Sequence, residues 1–161
     1  MNVGWRKARA GASEADLAEL ERRLGSRLPD EYRAFLADHN GGAPETNVFT
    51  VSPNNSAGVN EYLSTRDIAE TRARYGERLA DGLVPVAYAE GGNLVVVSSD
   101  GTVYFWDHEL EDEEPLTELA ATFSAFRDSL EPFDPNRAEL DPDDVEEVWA
   151  SDALRKRLAG N

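Results

Sequence analysis

The stretch Leu83-Val84-Pro85-Val86-Ala87-Tyr88-Ala89-Glu90-Gly91-Gly92-Asn93-Leu94-Val95-Val96-Val97-Ser98-Ser99-Asp100-Gly101-Thr102-Val103-Tyr104-Phe105-Trp106-Asp107 decides the fold. Its runs of β-branched and aromatic residues at 83–88, 94–98 and 102–107 are separated by two groups of turn residues, the pattern of a three-stranded antiparallel meander. Asp100-Gly101 suits a tight two-residue primed turn, because both positions tolerate positive φ. Leu94 to Val97 are four consecutive apolar residues, so the middle strand is expected to be covered on both faces. In the third strand Val103 and Phe105 face one way and Tyr104 and Trp106 the other.

Upstream, Ser13 with Asp16 three residues later, then Leu17, Leu20 and Leu24, predicts a capped amphipathic helix closed by Gly25. Leu28-Pro29 opens a second helix with Tyr32, Phe35 and Leu36 on one face, and Asn40-Gly41-Gly42 is expected to stop it in the left-handed region. The two helices should pack as a short hairpin. Residues 43–65, rich in Asn, Ser, Pro and Gly, read as a short strand at Val48, Phe49 and Val51 within an irregular loop. Ile68, Ala69, Arg72, Tyr75 and Leu79 predict a helix over 67–80.

Downstream, Leu119, Phe123, Phe126 and Leu130 predict a helix ended by Pro132. Beyond a break at 132–142, Val145, Val148, Trp149, Leu154 and Leu158 mark a last helical region. Residues 1–133 are therefore expected to form the domain, and 134–161 an acidic helical extension packed on it or trailing from it. Helices and antiparallel strands in this order make an α+β arrangement.

Across 161 residues, 32 acidic side chains stand against 16 basic ones, a formal net charge of −16. Such a surface repels phosphate backbones and anionic lipids, which argues against nucleic acid and membranes as partners, and it speeds encounter with a basic protein. The charge is uneven: residues 1–106 carry 15 acids and 11 bases, residues 107–161 carry 17 and 5. With no cysteine, disulfide frameworks, thiolate metal sites and thiol nucleophiles are excluded. Residues 1–12 lack the apolar run of a secretory leader, so a cytoplasmic protein is expected.

Motifs of catalysis are missing. There is no G-x-G-x-x-G, no G-x-x-x-x-G-K and no G-x-S-x-G. His39 and His108 are far apart; His108-Glu109 begins like H-E-x-x-H, but Asp112 stands where the second histidine belongs. The acidic run 107–114 lacks the ligand spacing that wraps calcium. Asn54-Asn55-Ser56 matches a glycosylation sequon that a cytoplasmic protein does not use. An enzyme built on Asp107, His108 and Glu109 has no other support in the chain.

Two groups of residues together resemble a known family: Leu28-Pro29 with Tyr32, Phe35, Leu36 and Asn40-Gly41-Gly42, and Val84-Pro85-Val86-Ala87 with Gly92-Asn93, Gly101 and 103–109. In their order and spacing, from about Trp5 to Phe133, the chain resembles the SUKH superfamily, which includes fungal cell-wall-assembly regulators of the Smi/Knr type and many bacterial immunity proteins. The resemblance implies a mixed, largely antiparallel curved sheet flanked by helices, with no enzymatic activity, no cofactor and no metal. It also implies that the chain binds and blocks a cognate toxin domain of nuclease or deaminase type; an intracellular regulatory or scaffold adaptor is the other reading. The acidic balance independently suits a basic toxin. The family motif residues read as caps, turns and core, so partner contacts are expected on exposed positions instead: Asp107, Glu109, Glu111, Asp112, Glu113 and Glu114, with Asn54, Asn55 and Asn60.

Overall fold

The structure, a computed structural model, describes residues 4–110 and 114–135. In chain order the elements are β1 (Trp5–Ala8), α1 (Glu14–Leu24), α2 (Asp30–Asp38), β2 (Gly42–Pro44), β3 (Val48–Ser52), β4 (Asn55–Tyr62), α3 (Thr65–Tyr75), β5 (Val84–Ala89), β6 (Leu94–Val97), β7 (Val103–Trp106), β8 (Leu116–Ala120) and α4 (Phe123–Asp128). The strands form one curved, unclosed sheet in the order β1-β2-β4-β5-β6-β7-β8, with β3 paired to the first half of β4. The described pairings are antiparallel throughout.

The meander explains where the core lies. Every β6 side chain is buried, and the strand is flanked by β5 and β7. Val95 and Val97 join the larger cluster with Val103 and Phe105, beneath α1, α2 and α4. Leu94 and Val96 turn to the opposite face, where they meet Leu79, Leu83 and Trp106. Both faces of β6 are thus covered, and each such side chain contributes about 1.5–3 kcal/mol of transfer free energy. Aromatic rings tie the larger core together: Phe35 and Tyr32 each lie 4.9 Å from Phe123, and Phe49 sits between Phe105 and Phe126 at 5.9 and 5.6 Å. On the other face Tyr75 meets Trp106 edge-on at 5.0 Å.

Local chemistry sets the helix ends. Ser13 Oγ accepts from the Asp16 N–H and Asp16 Oδ2 accepts from the Ser13 N–H, the reciprocal pair expected of that sequence. Arg33 on α2 reaches Glu14 and Glu21 on α1, joining the helix pair across its exposed side. α2 ends at His39 in extended conformation rather than in a left-handed cap. The Asn40 carboxamide is instead directed at the start of α3, its Oδ1 accepting from the Thr65 N–H at 2.7 Å, while Gly41 and Gly42 lead into β2.

Other expectations are corrected. Residues 43–65 hold three strands rather than one and a loop. β4 is polar where its side chains face outward, and its register shifts between Val59 and Glu61, which hides the alternation. α3 begins earlier than its periodicity suggests, at Thr65 beneath the Ser64 cap, and gives way to a 3-10 turn at Gly76–Arg78. Leu119 lies on β8, not on the following helix, which starts at Phe123 under a Thr122 cap. Trp5–Ala8 forms an edge strand with no sequence signal, since only Trp5 of its four residues is even half-buried. The β6–β7 connection is the five residues 98–102 rather than a two-residue turn: Ser98 N–H donates to Thr102 O at 2.9 Å, Gly101 N–H to Ser98 O at 3.0 Å, and Gly101 stands at φ 92°. In that loop the Ser98 hydroxyl and the Thr102 amide hold the Asp100 carboxyl at about 2. The expected helix around Val145 to Leu158 lies outside the described residues.

Two buried groups stand apart from this economy. The hydroxyls of Tyr32 and Tyr62 meet no hydrogen-bond partner among the described residues, and burial pushes both phenols well up from their ordinary range.

Candidate partner-docking surface

The antiparallel registers bring the β3–β4 turn and the 107–115 connection to one end of the sheet. β5 runs toward that end, where the 3-10 turn Glu90–Gly92 follows it. β4 is antiparallel to β5, so its beginning and the β3–β4 turn project there. β6 starts, β7 finishes and β8 starts at the same end, which places the 107–115 connection beside them. The opposite end carries the 98–102 loop.

The hairpin turns at Pro53-Asn54, with Ser52 opposite Asn55 and Thr50 opposite Ser56. Asn54, Asn55 and Ser56 are exposed at its tip, and Asn60 is exposed at the register shift of β4. Between them lies Gly58, where a Cβ would stand 2.9 Å from Glu90 Oε1 and 3.2 Å from Asn47 Nδ2. A side chain there would push aside the exposed Glu90 carboxylate, which lies against the hairpin at this point. Asn47 Nδ2 also donates to Val59 O at 3.2 Å, holding the base of the hairpin.

On the other flank the acidic connection is anchored at its root. Asn93 Oδ1 accepts from the His108 backbone N–H at 3.1 Å and lies 2.7 Å from His108 Nδ1. The Arg78 guanidinium donates to His108 O at 2.9 Å and lies about 6 Å from the ring centres of Tyr75 and Trp106. Asp107 is half-buried: its N–H donates to Pro115 O at 2.9 Å, and its carboxylate accepts from the Glu109 N–H at 3.0 Å. Glu109 and Glu114 are exposed, as is Leu110 at 37%. Glu111, Asp112 and Glu113 lie outside the described residues. Of the eight residues 107–114, six are acidic and none is Lys or Arg.

Among the described residues, the structure therefore brings Asn54 and Asn55, beside Gly58 and Glu90, to the same end as Asp107, Glu109 and Glu114, beside Asn93 and His108. Sequence reasoning missed Glu90 and Asn93, which join them. The signal was present in Glu90-Gly91-Gly92-Asn93, but it reads first as a turn. Chemically its described residues offer anionic and amide groups at the end of a hydrogen-bonded sheet. Among the described residues no three His, Asp or Glu side chains are grouped as a metal site, and no helix is long and apolar enough to cross a membrane.

A curved antiparallel sheet with helices on its larger core face defines an α+β domain. The profile of the SMI1 / KNR4 family (SUKH-1) matches residues 11–129, and the chain belongs to that family. It is also similar to the SPbeta prophage-derived uncharacterized protein YokK of Bacillus subtilis (strain 168), at 26% identity over 86% of this chain and 84% of that protein.

Proposed function

We propose that this protein is an immunity protein that binds and neutralises a cognate basic toxin domain in the cytoplasm, of nuclease or deaminase type, by covering it rather than by catalysis. The observation that carries the reading is the acidic 107–114 connection at the same end of the sheet as the exposed Asn54-Asn55 tip. Membership of the SUKH-1 family and similarity to a prophage-derived protein support it. Carboxylates on a connection rooted in the sheet steer a basic partner at long range, and the neighbouring amides and Leu110 supply short-range contacts that hold it. The same charge disfavours nucleic acid and anionic membranes as ligands.

The test is co-expression with a basic toxin-like domain encoded beside the gene, scoring growth rescue and recovery of a complex. Replacing Glu111, Asp112, Glu113 and Glu114 by Ser is expected to slow association roughly tenfold at low salt and to flatten its salt dependence, the scale on which steering acts. Unchanged association would remove the acidic connection from the interface. No rescue and no complex with the unaltered chain would overturn the immunity reading in favour of the adaptor one.

A further inference from the structure

On the face of the sheet that carries the smaller cluster, Leu79 and Tyr75 meet Leu94 and Val96 of β6 and Trp106 of β7. The sheet continues past that cover into β8, where Leu116 stands opposite Trp106 and Glu118 opposite Tyr104. Directly opposed residues share a face, so Tyr104, Leu116 and Glu118 lie together on this one. Tyr104 and Leu116 pack against the rim of the cluster and remain half-buried, while Glu118 is exposed. At the end of the same two strands the 107–115 connection adds Leu110, exposed at 37%, with Glu109 and Glu114. Among the described residues no ion pair engages the carboxylate of Glu109, Glu114 or Glu118.

We propose that this face of β7 and β8 seats a basic amphipathic segment of the partner, with an aliphatic or aromatic side chain against Tyr104 and Leu116 and Lys or Arg toward Glu118 and Glu114. The inference rests on the immunity reading and adds to it the chemistry of the bound segment and a set of contacts outside the acidic connection. Apolar surface rimmed by unpaired carboxylates selects its occupant. A wholly apolar partner would strip water from those charges without replacing it, at a cost in free energy that a basic one avoids. A second copy of a chain of net charge −16 would set like charges against Glu118 and the connection, and nucleic acid or an anionic membrane meets the same repulsion. The two parts then divide the work: the connection's carboxylates speed encounter, while Tyr104 and Leu116, backed by the packed cluster, slow departure.

The test measures affinity and dissociation rate of the full chain with the purified basic toxin-like domain encoded beside the gene. Glu118→Lys is expected to weaken the complex about tenfold or more, and Asp38→Lys, the same change of charge at an exposed position on α2 away from this face, less than about threefold. Tyr104→Ser is expected to raise the dissociation rate about tenfold with association unchanged. Thermal melts check that each variant is folded; Glu118 is exposed, so its variant decides the matter even where Tyr104→Ser unfolds. A complex with the unaltered chain that Glu118→Lys and Tyr104→Ser leave equally tight would overturn this inference and leave the immunity reading standing. Equal weakening by Glu118→Lys and Asp38→Lys would also overturn it, since only long-range charge would then be at work. No complex with the unaltered chain would overturn both.

Discussion

Strand β6 and the β3–β4 hairpin are both antiparallel ribbons of the same sheet, yet they face opposite demands. β6 buries all four side chains between two clusters. The hairpin buries Phe49 and Val59 on one face and leaves Thr50, Asn54, Asn55 and Ser56 exposed. The contrast teaches that the packed frame and the exposed tip are separated here: substitutions in and around the meander should unfold the protein, and substitutions at the hairpin tip should leave it folded, with altered binding where the proposed function holds.

The largest effect is expected at Phe126, fully buried against Phe49 and Phe123. Phe126→Ala should cost about 3–5 kcal/mol in urea unfolding; a loss below 1 kcal/mol would show that the larger core does not carry the fold. Leu94→Ala probes the smaller cluster and should cost about 2–5 kcal/mol, so a near-neutral result would reduce the second face of β6 to a passive cover. At alkaline pH the buried phenols enter. Their folded-state values are raised, so the stability they contribute is complete below about pH 10 and falls as pH rises through the folded values. Each group adds a slope of about 1.4 kcal/mol per pH unit above that point. The variant combining Tyr32→Phe and Tyr62→Phe should therefore show a flatter alkaline limb in pH-dependent unfolding, with little loss at pH 7 because neither hydroxyl has a partner among the described residues. The smallest effect is expected at the tip, where Asn55→Ala should change stability by no more than about 0.5 kcal/mol. A larger loss in thermal melts would break the division between frame and surface.

The same division governs what could be read from the amino acids. The meander was legible because burial on both faces leaves an unbroken apolar run, and the first helix because Ser13, Asp16 and Gly25 act locally. The hairpin was obscured because a strand with one solvated face uses Asn, Ser and Gly, residues that also make loops. β8 is hidden because Leu119 precedes Phe123 by four residues, a helical spacing that arises here by coincidence across the 121–122 bend. The candidate surface was legible residue by residue but not as one end of a sheet, since that depends on strand order, and the joining residues Glu90 and Asn93 act only through tertiary contacts with Gly58 and His108.

The bond from the Asp107 N–H to Pro115 O closes the 107–115 connection at its base, between two strands that are already neighbours, and the bond from the His108 N–H to Asn93 Oδ1 clasps its start to the β5–β6 turn. What lies between these clasps can change in length or composition at small cost, since doubling a flexible connection costs only about 0.6 kcal/mol of closure entropy. The acidic insert is thus built as a removable part: it can be rewritten residue by residue while the β7–β8 pairing beneath it stays as it is.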